Sequence, residues 1–256
     1  MYEITSLSIG RTYVTITFAN DVKIKLLPRV YSEYYLYVGK TISEEEFNNL
    51  QIANEDAKIK DYAFGLFVNF SYSESELVKK LKAKKASPKI IEETVLALTN
   101  ANLLNDARYA KEKARTLQES FYGPYYIKNY LKDKGISEDI IKDVLSSPYD
   151  YATSLATYLK KPASQVSAKN KKDRDEKLTN KLLRRGFPFE VVTHAISELP
   201  GLTDEQVLKN LQKDYEKIRY RYARTYEGDE LKQRILRYLS QKGYNYNEII
   251  KMLEEE

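Results

Sequence analysis

Four times along this chain an apolar pair four residues apart leads through a basic stretch into a second apolar pair. The pairs are Leu77/Leu81 then Ile90/Ile91, Ile127/Leu131 then Ile140/Ile141, Leu178/Leu182 then Val191/Val192, and Ile235/Leu239 then Ile249/Ile250. Gly135, Gly186 and Gly243 each follow the first pair by four residues, where a helix closing in the left-handed conformation favours a residue without Cβ; Lys85 takes that slot in the first unit. Two positions later stand Ser87, Ser137, Pro188 and Asn245, mostly good helix starters. The pattern predicts a tight helix-turn-helix each time. Small helical units of this kind cannot bury an apolar face alone and must stack.

The spacing from Leu81 to Leu131 is 50 residues, from Leu131 to Leu182 51, and from Leu182 to Leu239 57. This leaves room for an upstream helix in each unit, marked by Tyr62-Ala63, Tyr109-Ala110, Tyr151-Ala152 and Tyr222-Ala223. The predicted fold class is mainly α: tandem three-helix, helix-turn-helix-like repeats in an elongated curved array, behind a small N-terminal β-hairpin and helix cap. The expected boundaries are 1–57 for the cap and 58–104, 105–148, 149–200 and 201–256 for four repeats. Pro148, Pro162 and Pro200-Gly201 mark either hinges or rigid joints between them.

In the cap, residues 4–27 alternate as strands do, with Val14, Ile16 and Phe18 on one face, Val22, Ile24 and Leu26 on another, and a turn at Asn20-Asp21. Pro28 stops the last strand. Ser43-Glu44-Glu45-Glu46 has the Ser-x-x-Glu form of a capping box and predicts a helix through about residue 53.

Several kinds of chemistry are removed by subtraction. There is no cysteine, hence no disulfide, thiolate zinc site or cysteine nucleophile, and a reducing cytoplasm is the expected location. No run of about 18 uncharged apolar residues predicts a membrane span. The closest glycines, Gly123 and Gly135, are twelve residues apart, so neither a dinucleotide fingerprint nor a phosphate-cradling loop is present. His194 is the one histidine, and a lone histidine in Val-Val-Thr-His-Ala-Ile reads as structural or surface. The carboxylate pairs Glu92/Glu93 and Glu138/Asp139 and the run Glu254–Glu256 read as solvated helix faces. The expectation is a non-enzyme without cofactor, metal or small-molecule substrate.

Charge points to a polyanionic or acidic partner. The chain carries +5 overall, yet Lys160 to Arg185 alone holds ten basic residues against Asp173, Asp175 and Glu176. If six of the ten met DNA phosphates, the logarithmic salt slope would be about −5. The mixed signs of Lys169–Lys177 also fit an exposed helix laced with ion pairs. From Lys213 to Tyr226 basic and aromatic residues interleave. Helical geometry puts Tyr215, Ile218, Tyr222 and Tyr226 on one side, as core, and Lys213, Lys217, Arg221 and Arg224 nearly opposite. That basic stripe is either a solvated face or a contact for phosphates or carboxylates. Tyr122, Tyr125 and Tyr126 surround Gly123-Pro124 and present rings at a helix start.

Gly123-Pro124-Tyr-Tyr-Ile127-Lys-Asn-Tyr-Leu131-Lys-Asp-Lys-Gly135-Ile136 resembles the Gly-Pro, Ile, Leu and Lys-Gly-Ile register of the bacterial RecX family of tandem three-helix repeats. Leu104-Asn105-Asp106-Ala107-Arg108-Tyr109-Ala110 resembles its Asp-Asp-x-Arg-Phe-Ala element, with Asn105 in place of the first aspartate. Ser73–Leu77 resembles the opening of its first repeat, with Tyr72 where an arginine is common, and Leu182–Phe187 resembles its third-repeat signature. The resemblance implies a regulator of recombination and DNA repair, within the SOS response, that binds the RecA filament and restrains its ATPase and strand exchange. Its alternative is a helical repeat protein that binds single- or double-stranded DNA directly and competes for the single strand. The expected contact surface is Lys171, Lys172, Arg174, Arg184, Arg185, Lys213, Lys217, Arg221 and Arg224, on a chain expected to act as a monomer.

Overall fold

The computed structural model describes residues 1–161, 166, 168, 171–200 and 204–254. Pro162, Lys169, Gly201 and Glu255–Glu256, named above, lie outside the described residues. The chain forms two compact units, residues 1–112 with 131–141, and residues 113–130 with 142–256.

The first unit opens with strands β1 (Tyr2–Ile9), β2 (Val14–Phe18) and β3 (Lys23–Leu26), then helix α1 (Pro28–Glu33), strand β4 (Thr41–Ile42) and helix α2 (Glu44–Leu66). The expected hairpin is β2–β3, but it is half of a four-stranded antiparallel sheet in the order β3-β2-β1-β4. Val14 pairs with Leu26 and Ile16 with Ile24. Directly opposed residues share a face, so the two apolar sets lie on one side, not on separate faces. Ile4, Val14, Ile16, Phe18 and Leu26 pack there against Val30, Phe47, Leu50 and Ala57. The ring of Phe47 stacks on Tyr2 at 4.1 Å and meets Phe18 edge-on at 5.4 Å. Buried Asn54 joins helix to sheet: its amide nitrogen donates to the Lys25 carbonyl at 3.0 Å, and its oxygen accepts from the Leu27 amide at 2.9 Å. Pro28 ends β3 as expected and also begins α1, where its missing N–H costs nothing.

The capping box at Ser43 and Glu46 is present, but the helix it opens runs to Leu66 rather than to about residue 53. The expected boundary at residue 57 therefore falls inside one helix. The physical reason is burial on two successive stretches of α2: Phe47, Leu50 and Ala57 belong to the sheet's core, and Ala63 to the next. That next core unites α2 with α3 (Glu74–Ala83) and α4 (Pro88–Asn100) through Leu77, Leu81, Ile91 and Leu98.

Helices α5 (Asp106–Glu119), α6 (Pro124–Asp133) and α7 (Glu138–Ser146) form the second three-helix set and contribute residues to both units. In the second unit, α8 (Tyr151–Leu159), α9 (Lys171–Arg184) and α10 (Phe189–Ser197) share a core of Leu155, Leu178, Leu182, Phe187, Val192 and Ile196. Helices α11 (Asp204–Tyr222), α12 (Gly228–Gln241) and α13 (Tyr246–Glu254) share Leu211, Tyr215, Ile218, Ile235, Leu239 and Ile249. The mainly α fold of three-helix repeats behind a small α+β cap is thus as expected. Leu81, Leu131, Leu182 and Leu239 are all fully buried, each in the second helix of its set. The left-handed slots hold: φ is 60° at Lys85, 78° at Gly135, 82° at Gly186 and 84° at Gly243. The Tyr-Ala marker is less uniform, because Ala63 and Ala110 are buried while Ala152 and Ala223 are exposed.

Candidate partner-binding surface

All nine residues expected to form the contact surface lie in the second unit, and the structure divides them. Arg174 and Arg185 make contacts within the fold. Arg174 is buried; its guanidinium bonds the Pro200 carbonyl and pairs with Asp175 at 2.8 Å, tying α9 to the chain beyond α10. Arg185 donates to the Ser120 and Phe121 carbonyls, both at 3.0 Å, and lies over the rings of Tyr122 and Tyr158 at 4.9 and 4.6 Å. These carbonyls sit just past the end of α5, where unpaired backbone oxygens need donors. A guanidinium offers several donors in one plane and stacks on rings, so it fills this slot better than an ammonium.

That arginine completes a close junction. The Gly123 amide donates to the Arg185 carbonyl at 2.7 Å, and the Tyr125 amide to the Gly186 carbonyl at 3.0 Å. A Cβ on Gly123 would strike the Gly186 and Phe187 backbone, and one on Gly186 would strike the backbone of Tyr126. Both glycines are required by backbone meeting backbone, and Gly186 additionally by its positive φ. The Gly-Pro motif is therefore a packing device. Of its three tyrosines, Tyr122 stacks on Tyr126 at 4.2 Å beneath Arg185, and Tyr125 points to solvent.

The other seven cations, Lys171, Lys172, Arg184, Lys213, Lys217, Arg221 and Arg224, are exposed. Lys171 and Lys172 occupy the first turn of α9, where the helix dipole disfavours positive charge by roughly 0.3–1 kcal/mol each. Local helix stability does not explain them. On α11 the expected separation holds: Tyr215 and Ile218 are buried, while Lys213, Lys217 and Arg221 face outward at successive intervals of about 6 Å along the axis. The helix ends at Tyr222, so Arg224 and Tyr226 follow it instead of continuing its faces. Arg224 lies 5.3 Å over the ring of Tyr220, an outward tyrosine that sequence reasoning passed over because only its inward neighbours were read as aromatic. The ring of Tyr226 is covered by Arg234 at 3.8 Å, itself paired with Glu230 at 3.1 Å.

Behind the stripe, Asp214 accepts from Lys242 at 2.9 Å and from the Tyr244 hydroxyl at 2.8 Å. Burial alone would raise its pKa; the bonds from Lys242 and Tyr244 outweigh it and hold the carboxyl below the usual range. Burial, with Asp214 beside it, pushes the Tyr244 hydroxyl well up. In the first unit a similar group surrounds Glu76, which binds Lys134, accepts from the Tyr109 hydroxyl at 3.1 Å and caps Ser73. Its pKa is lowered in the same way, burial being outweighed by those bonds. Lys134 and Lys242 each stand just before a left-handed glycine, as Arg185 does. The pattern of a cation before the slot was visible in the sequence, and its role as a strut was missed.

The arrangement offers extended positive surface. Among the described residues, no three or more histidine, cysteine or carboxylate side chains gather as a metal site, and no helix is long and apolar enough to cross a membrane.

Comparison with known proteins agrees with this architecture. The RecX second three-helix domain matches residues 105–145, and the RecX third three-helix domain matches residues 204–253. A regulatory protein RecX of Streptococcus pneumoniae (strain Hungary19A-6) is 30% identical over 263 residues, which cover 99% of this chain and 99% of that protein. The chain belongs to the RecX family. A regulatory protein RecX of Lactococcus lactis subsp. cremoris (strain SK11) is 28% identical over 253 residues, covering 94% of this chain and 93% of its own. A crystal structure of RecX from Lactobacillus salivarius is similar at 27% identity over 57% of this chain and 97% of its own, with a TM-score of 0.48. The family's third domain falls on α11–α13. Helices α8–α10, which contain the Leu182–Phe187 stretch, lie between the two matched domains. These RecX relatives are named regulatory proteins.

Proposed function

We propose that this protein binds the RecA recombinase filament and restrains its ATPase and strand exchange, using the exposed cations of α9 and α11 as an electrostatic contact surface. The observation that carries the reading is the outward row Lys213, Lys217 and Arg221 on a helix whose inner face is fully engaged in its own core. Lys171 and Lys172, placed against their own helix dipole, support it. Membership of the RecX family supports RecA as the target. A row of modest contacts repeated over adjacent filament subunits gains through multivalency and needs no deep pocket. The protein acts in this reading as a cytoplasmic monomer without a cofactor.

The test is binding to RecA-coated single-stranded DNA against bare strand, with a salt titration. The expected result is preference for the coated strand and a loss of about tenfold or more at low salt in the triple variant Lys213→Glu, Lys217→Glu, Arg221→Glu. Unchanged binding by that variant would remove the surface from the proposal. Preference for bare strand would replace it with direct DNA binding.

A further inference from the structure

A second basic region lies in the first unit, outside the surface just described. Residues 77–91 carry six lysines and no acidic residue. Lys80 and Lys82 complete the last turn of α3, where positive charge suits the helix dipole. Lys84 and Lys85 lie beyond that turn and line a groove of 640 Å³ against α2, whose apolar side is Ile52, Ile59 and Tyr62. Ile52 is 58% exposed, so the core does not account for it. The Lys84 ammonium stands 5.0 Å over the Tyr62 ring, and among the described residues neither Lys84 nor Lys85 has an ion pair. Lys85 holds the positive φ of 60°, which fixes the turn on which both are carried.

We propose that this groove binds an acidic peptide segment bearing a large apolar side chain, the apolar group resting on Ile52, Ile59 and Tyr62 and its carboxylates on Lys84 and Lys85. The volume lies within the range, roughly 300–1,000 Å³, of sites that take a compact ligand. Charge selects a peptide over a nucleic acid strand. Glu55 and Asp56 also line the groove. Glu55 is paired at 2.7 Å with Lys58, which also lines the groove. A phosphodiester strand has a charge at every residue and would set phosphates against those two carboxylates. A peptide can turn a neutral stretch toward them and its acids toward the lysines. The proposal does not depend on the α9 and α11 surface.

The experiment is fluorescence anisotropy on the full-length protein with a fluorescein-labelled peptide in which a leucine pair is flanked by glutamates. The expected result is saturable binding that weakens about tenfold in Lys84→Glu with Lys85→Glu and in Ile52→Asp. Binding is also expected to be lost when the peptide's glutamates become glutamines or its leucines become serines. Lys85→Gly removes the charge while suiting the left-handed backbone, and with Lys84→Gln it replaces the charge reversal if that variant fails to fold. An absence of saturable binding, or binding unchanged in the groove variants, would overturn the proposal. So would displacement of the peptide by oligothymidylate at equal concentration, which would mark the occupant as nucleic acid.

Discussion

At its start, in the second unit, α6 meets the end of α9 backbone to backbone through Gly123 and Gly186, whereas its other end, in the first unit, is held by charged side chains. There Lys134 binds Glu76, and the Ser73 hydroxyl donates to the Lys134 carbonyl at 2.6 Å. Gly135 also sits close to α3, but what a Cβ would strike is mainly the Ser75 side chain. The contrast teaches which fastening is steric and which is electrostatic. A backbone contact depends on shape alone, while an ionic one responds to pH and salt. The Asp214, Lys242 and Tyr244 group belongs to the second kind, but it joins helices of one repeat instead of two.

The largest expected effect comes from closing the backbone junction. Gly186→Ala should lose about 3 kcal/mol in urea denaturation, from overpacking plus a strained φ, and no second substitution can relieve it because the obstruction is the backbone of Tyr126. Gly135→Ala should cost less, about 1–2 kcal/mol, and Ser75→Gly should restore part of it. Equal costs for the two alanines, or no rescue, would break the comparison.

Next come the ionic groups. Glu76→Gln and Asp214→Asn should each lose about 1–2 kcal/mol at neutral pH, because charge-assisted bonds from lysine and tyrosine are weakened on side chains only about a fifth exposed. Both native carboxyls have pKa values below their ordinary 4.5 and 3.8. Their stabilisation is therefore complete above those values and is lost as pH falls through the lower, folded-state ones. Asp106 works in the opposite sense: burial raises its pKa above 3.8, so protonation favours the folded chain. Urea melts at stepped acid pH should show a shallower acid loss in wild type than in Asp106→Asn. Identical pH profiles would remove Asp106 from this account.

The smallest effect on stability is expected on the α11 stripe. Lys213→Glu with Lys217→Glu and Arg221→Glu should each shift unfolding by no more than about 0.5 kcal/mol, since all three are exposed and leave the core untouched. A large loss in thermal melts would mean that the stripe serves packing, as Arg174 and Arg185 do.

Much of the repeat structure was legible. The buried pairs, the left-handed slots and the side of α11 that faces inward follow from helical period and from the cost of a Cβ at positive φ. The reach of α2 was not, because the capping box specifies where that helix starts and only packing against two cores carries it to Leu66. The fate of single cations was also hidden. Arg184 and Arg185 are neighbours in sequence, yet one is exposed and the other is bonded to carbonyls 64 and 65 residues away.

What the sequence determined by itself is the family, the three-helix repeat and the net positive balance, since each depends on local spacing or on composition. What only the tertiary structure decided is which charges are free. A guanidinium becomes a strut when a distant helix end brings unpaired carbonyls within its reach, and no local pattern encodes that meeting.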